Sequence, residues 1–176
     1  MPVTLQSIKF WQYSRRTLNG LAALVCGGLI ATALFMQYVM DLNPCYLCIV
    51  QRVFVITTGV ILLAAVLHNP ARRGQQWYSL FGGLSAATGA GFSIRQLWLQ
   101  GLPEDQVPAC GPSADYLFDA LPWRDALSML LRGDGNCAEV QWTLLGLSIP
   151  GWTLMAFAGL ALLCLWQGLR DCKTIS

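Results

Sequence analysis

Residues Pro44–Leu67 read PCYLCIVQRVFVITTGVILLAAVL: a Cys-X-X-Cys pair runs straight into an apolar stretch whose only charge is Arg52. Crossing a hydrocarbon core as a helix takes about 20 apolar residues, so this stretch is long enough to span a bilayer. Three more match it, and the four predicted crossings run about 18–39, 47–67, 77–99 and 149–169. The first is expected to stay in place as a helix, because its apolar run is too long for a cleavable signal and no small-residue cleavage site follows it. Composition agrees: of 176 residues, 55% are hydrophobic and only 11% charged, against about 25% charged in soluble domains. A net charge of +2 gives a nucleic-acid partner no electrostatic footing. The expected fold is an all-α membrane protein. It is one integral domain over 1–176, a four-transmembrane-helix bundle in the lipid bilayer with a long outer loop at about 100–148.

Charge sets the predicted orientation. Lys9, Arg15, Arg16, Arg72, Arg73, Arg170 and Lys173 flank the apolar runs on one side, with Asp171 the only acid among them. The other side holds Asp41, Glu104, Asp105, Asp115, Asp119, Asp125, Asp134 and Glu139 against Arg124 and Arg132. The positive-inside rule puts both termini and the loop His68–Gln76 in the cytoplasm. The junction Asp41–Pro44 and the long loop then face outward, which in a bacterium is the periplasm, where disulfides persist. The loop is expected to carry a short amphipathic helix. Trp123, Ala126, Leu127, Leu130 and Leu131 recur at helical spacing, with Pro122 suited to its start and Gly133 to its stop. That helix can lie in the membrane interface or pack on the bundle, and the spacing does not choose. Gly111-Pro112 and Gly133-Asp134-Gly135 suggest flexible backbone around the loop cysteines.

Cys45 and Cys48 fall in the first turn of the second crossing, three apart and on one face. The positive end of the helix dipole favours thiolate there, and such pairs often have lowered pKa values. As a staple the pair closes too small a loop to matter. As a zinc site it lacks partners at knuckle-like spacing, and the only histidine, His68, lies across the membrane. A redox dithiol remains. Arg52 lies one turn below Cys48, where a cation costs about 2.5–3.5 kcal/mol on insertion scales. It can stabilise a thiolate or an anion beside it, or simply snorkel or pair with Asp41. Cys110 and Cys137 are 26 residues apart in the polar loop. A bridge between them closes about 28 residues and is worth about 3.6 kcal/mol as a staple; beside a reactive pair on the same side it also reads as a second redox pair. Cys26 and Cys164 sit in apolar runs and Cys172 in the tail, and these three read as non-catalytic.

The string Pro44-Cys45-Tyr46-Leu47-Cys48 with Arg52, and Cys137-Ala138-Glu139 followed by Gln141-Trp142, Leu145-Gly146-Leu147 and Ile149-Pro150, resembles the DsbB family of bacterial disulfide-bond formation proteins. The likeness covers nearly the whole chain. It implies an inner-membrane thiol:quinone oxidoreductase that reoxidises a periplasmic thioredoxin-fold oxidase of the DsbA type and passes the electrons to ubiquinone or menaquinone. On that resemblance, the partner's thiolate attacks Cys110, the released Cys137 attacks Cys45, and Cys48 is left as thiolate beside the quinone, which Arg52 helps to bind. Two positions depart from some members: Gln51 stands where they have an acid, and no histidine occurs around Gln96–Gly101. Two other readings are weighed against this one: a membrane transport or binding protein with purely structural disulfides, and a reductase running electrons outward. The latter lacks a cysteine pair reachable from inside.

Overall fold

The computed structural model describes residues 15–111, 116 and 122–172. Four long helices dominate: α1 (Arg15–Tyr38), α2 (Tyr46–His68), α3 (Arg72–Gln100) and α5 (Ile149–Cys172), with a shorter α4 (Trp123–Arg132) in the loop. A two-stranded antiparallel ribbon, β1 (Thr143–Leu144) and β2 (Leu147–Ser148), leads into α5. The terminal positively charged residues Lys9 and Lys173, and Pro112, Asp115 and Asp119 of the loop, lie outside the described residues.

The stretches Arg15–Tyr38, Tyr46–His68 and Ile149–Leu169 are long and apolar enough to cross a membrane. Helix α3, at 29 residues, is about 44 Å long but less apolar, and its composition explains why. Its inward stripe is Gln75, Ser79, Gly82, Ala86, Gly89, Ser93, Gln96 and Leu99, small or polar at nearly every turn. Small residues are what apolar surroundings reward, since they let helix backbones approach closely where no hydrophobic force drives association. Phe157 of α5 fills the notch over Gly89, where a Cβ would lie 2.4 Å from its ring. Gly82 and Gly83 receive Cys164, and Gly59 receives Cys26. These two buried cysteines are therefore packing residues. Polar rungs tie α3 to α5 at both ends: Gln75 Nε2 donates to Gln167 Oε1 at 3.0 Å, and Ser93 and Thr153 hydroxyls meet at 3.2 Å. Outward, Leu24, Val60, Leu84 and Leu162 stand exposed, a surface suited to lipid.

The structure corrects the α2–α3 connection. The expected loop His68–Gln76 shrinks to three residues, because Asn69 takes the left-handed conformation (φ 40°) and caps α2 through its N–H to the Ala65 carbonyl at 3.1 Å. Ala71 then serves as N-cap, so Arg72 and Arg73 open the helix rather than the loop. The loop glycines are corrected too. Gly133 (φ 75°) stops α4, and a Cβ on it would lie 2.9 Å from Leu47; on Gly135 it would lie 2.5 Å from the Pro108 carbonyl. Both serve close approach rather than flexibility.

Helix α4 buries Ala126 and Leu130 against α2, while Trp123 is 70% exposed. Packing on the bundle thus fixes one face and leaves the tryptophan free.

Replacing Gly89 by Leu should overpack the fully buried Phe157 and destabilise the protein by roughly 1–3 kcal/mol. Thermal unfolding in nanodiscs reads this, with Gly28→Ala, whose Cβ meets nothing within 4 Å, as the unaffected control.

Candidate functional site

Helix α1 ends at Tyr38 and the chain reverses through Asp41, held at φ 56°. Pro44 precedes Cys45, which is the N-cap of α2 in extended conformation, and Ile49 N–H closes the first turn on the Cys45 carbonyl at 3.1 Å. Cys45 therefore stands at the helix threshold and Cys48 inside its first turn. Their sulfurs are 2.7 Å apart.

The loop brings its own cysteine to this threshold. Gly133 seats on Leu47, a 3-10 turn Gly135–Cys137 follows, and Cys137 is driven into the cluster of Cys45, Tyr46, Leu47, Leu99 and Leu130. It is 0% exposed and lies in one buried cluster with Cys45, toward which its thiol makes a hydrogen-bonding interaction. That bond is the main reason its pKa lies below the ordinary thiol range, with burial opposing. Cys110 behaves differently. It is exposed, across the same turn, its sulfur 3.1 Å from where a Cβ on Gly135 would be. Of the two loop cysteines, the geometry joins Cys137 to the dithiol and leaves Cys110 to solvent.

Below the dithiol is a network of uncharged amides and hydroxyls. Gln96 of α3 donates from Nε2 to the sulfurs of Cys45 and Cys48, at 3.2 and 3.3 Å. Its Oε1 accepts from Gln51 Nε2 at 2.7 Å, and Thr153 of α5 donates to Gln51 Oε1 at 2.7 Å. Arg52 reaches α1, donating to Gln37 Oε1 and, at 3.1 Å, to the Ala33 carbonyl. Arg95 of α3 closes the loop. Its Nε donates to the Arg132 carbonyl at 3.1 Å, at the end of α4, and its guanidinium lies 5.5 Å from the Trp98 ring.

Cys48, Gln51, Arg52, Gln96, Thr153 and Trp152 line one cavity of about 290 Å³ among α1, α2, α3, α5 and the loop that follows Cys137. Its remaining walls are mostly apolar, as ligand pockets are. Gln37, Gln96 and Thr153 were not singled out in the sequence. Their signal was there, since polar side chains within apolar helices are rare and face the interior when they occur.

The family described as Disulfide bond formation protein DsbB matches residues 15–167. The chain belongs to the DsbB family. It is 58% identical over 145 residues to "Disulfide bond formation protein B" of Saccharophagus degradans, covering 82% of this chain and 87% of that one. The protein of the same description from Hahella chejuensis is 51% identical, covering 83% and 88%. That of Stutzerimonas stutzeri is 49% identical, covering 89% and 96%. This chain is thus a helical membrane protein and a DsbB-type thiol oxidoreductase acting in disulfide bond formation, and a transport protein with purely structural disulfides is not favoured.

If the Cys45 thiol holds the Cys137 pKa down, Cys45→Ala in a Cys110→Ser background should move Cys137 alkylation by iodoacetamide to higher pH. Mass spectrometry of the Cys137 peptide reads the midpoint; an unmoved midpoint would remove that bond as the cause.

Proposed function

We propose that the four cysteines act in series, Cys110 to Cys137 to Cys45 to Cys48, and that the final acceptor is a membrane quinone, ubiquinone or menaquinone. The carrying observation is that Cys137 bonds Cys45 while Cys48, its neighbour at 2.7 Å, lines the cavity that Arg52 shares. The donor is a periplasmic thioredoxin-fold dithiol oxidase of the DsbA type. Its thiolate attacks the Cys110 sulfur of a Cys110–Cys137 disulfide, and the electron pair of the broken bond leaves on Cys137. The Cys137 thiolate attacks Cys45 and displaces Cys48 as thiolate. Gln96, donating to the Cys48 sulfur, and the helix N-terminus stabilise the charge that arrives there.

The cavity residues fit a quinone. Its apolar walls suit the ring, and Arg52 supplies N–H donors for a carbonyl oxygen. The partner's second thiolate then attacks its own sulfur bound to Cys110 and releases Cys110, which attacks Cys137, re-forms the loop disulfide and frees Cys45. A quinone held in the cavity would accept the two electrons and two protons as Cys45 and Cys48 re-form their disulfide. A strongly oxidising partner needs such a terminal oxidant, because it can be reoxidised only by a still stronger one.

The accompanying topology is a single integral domain over 1–176 in the bacterial inner membrane, with α3 as the fourth crossing and both termini cytoplasmic. Arg72 and Arg73 at the start of α3, and Arg15 and Arg16 at the start of α1, support it through the positive-inside rule. The α4 loop then lies in the periplasm.

Purified protein with a reduced DsbA-type partner and ubiquinone should consume quinone, followed by its absorbance. Cys48→Ser should abolish consumption, and undiminished turnover in that variant would sink the relay. Arg52→Gln should raise the quinone KM about tenfold, in keeping with the loss of roughly 1.5–3 kcal/mol for a hydrogen bond to a charged group.

A further inference from the structure

Asp134 lies between the glycine that stops α4 and the turn that carries Cys137. It is an acidic side chain only 6% exposed, and it accepts hydrogen bonds from neutral groups. Oδ2 accepts from the Gly111 backbone N–H at 2.9 Å and from Asn136 Nδ2 at 2.6 Å. Oδ1 accepts from the Cys137 thiol at 3.4 Å. Gly111 is the residue after Cys110. One carboxylate therefore ties the segment of one loop cysteine to the sulfur of the other.

The seam around it leaves no slack. Gly135 N–H donates to the Ala109 carbonyl at 3.3 Å, and Asn136 Nδ2 also reaches the Gly111 carbonyl at 3.4 Å. A Cβ on Gly111 would lie 2.8 Å from the Tyr46 hydroxyl and 3.0 Å from Asp134 Oδ2. A neutral acceptor would suffice to hold the Gly111 N–H. A buried acidic side chain is the costly choice, and it is set against the one atom of the turn whose charge changes in the proposed reaction.

We propose that Asp134 is the positioning residue of the loop relay: it clamps the Cys110 segment onto the Cys137 turn and opposes a lasting negative charge on the Cys137 sulfur. The inference rests on the relay proposed above. In the first exchange a partner thiolate bonds to Cys110, the Cys110–Cys137 bond breaks, and the negative charge moves to Cys137. In the second, Cys137 bonds to Cys45, the Cys45–Cys48 bond breaks, and the charge moves to Cys48. No proton is taken up or lost in either step. A carboxylate beside Cys137 makes the intermediate thiolate a poor resting place for that charge. It also makes Cys137 the stronger nucleophile, since nucleophilicity rises with thiol pKa. Once the charge reaches Cys48 it is beyond the residue that Asp134 touches. The other titratable groups facing the carboxylate are Tyr46 on α2 and Cys137 itself, with Cys45 behind Cys137 and Cys110 across the turn.

Two variants separate clamp from charge. Asp134→Asn keeps the shape and removes the charge. In a Cys45→Ser, Cys110→Ser background it should lower the pH midpoint of Cys137 alkylation by about one unit. Asp134→Ala removes the clamp, and should lower the ratio of partner-driven to dithiothreitol-driven quinone reduction about tenfold, because only the first route needs both loop cysteines held in line. An unmoved midpoint in the Asn variant, or an unchanged ratio in the Ala variant, overturns the proposal. If the Ala variant loses both activities together it has lost its fold, and the Asn midpoint alone decides. Failure of the relay itself reads differently, as partner-driven quinone reduction persisting in Cys48→Ser.

Discussion

The loop can reach the dithiol only because residue 133 is glycine. Its positive φ stops α4 in a conformation that L side chains rarely adopt, and its missing side chain lets Leu47 lie against the backbone. Leu47 is itself between the two cysteines of the dithiol, so the contact that seats the loop and the position of the reactive pair share a single helical turn. From that contact the rest follows. Asp134 and Gly135 come next, then Cys137, which is delivered fully buried onto Cys45. Arg95 holds the other side of the seat by capping the last carbonyl of α4.

Beneath the seat, the bundle depends on polar groups that an apolar environment leaves without alternatives. Gln96 could not be left unbonded between α2 and α3, and its partners are the two sulfurs and Gln51. Gln51 in turn is completed by Thr153, which fixes α5 against α2 and α3 at the same level. Each member is satisfied by the next, so a shift of any helix along its axis would strand at least one buried amide, at about 1–3 kcal/mol. The amides that touch the sulfurs thus also set the register of the helices that carry them. Glycine notches complete the arrangement, since Gly89 and Gly82 admit Phe157 and Cys164 closely enough for those hydrogen bonds to form.

Much of this was legible in the residues. Apolar runs and the charges at their ends mark the long helices, because length and desolvation leave few alternatives. Cys45, Cys48 and Arg52 stood out because a dithiol and a cation are both conspicuous at the head of such a helix. The three-residue α2–α3 turn was not legible, since nothing in Asn69-Pro70-Ala71 says that Asn69 will take φ 40° and let the helix resume at once. Gln96 and Thr153 signalled only that they face the interior; which groups they bond was not legible, because that depends on what α2 places opposite them. The loop glycines were read as flexible because sequence does not distinguish a glycine that moves from one that is tightly packed. Only the proximity of Leu47 and the Pro108 carbonyl does so.

Exposure itself gives the proposed relay its direction. A soluble thiol can reach Cys110, the exposed member, but not Cys137, which has no accessible surface, nor Cys45, over which the Cys137 turn is seated. Thiol–disulfide exchange needs the attacking sulfur to reach the sulfur under attack. Burial therefore blocks the shortcut from the periplasm straight to the inner dithiol without any moving gate. Cys48, beside Cys45, also lines the largely apolar cavity, so in the proposed relay the sulfur that receives the charge last is one that an apolar acceptor can meet.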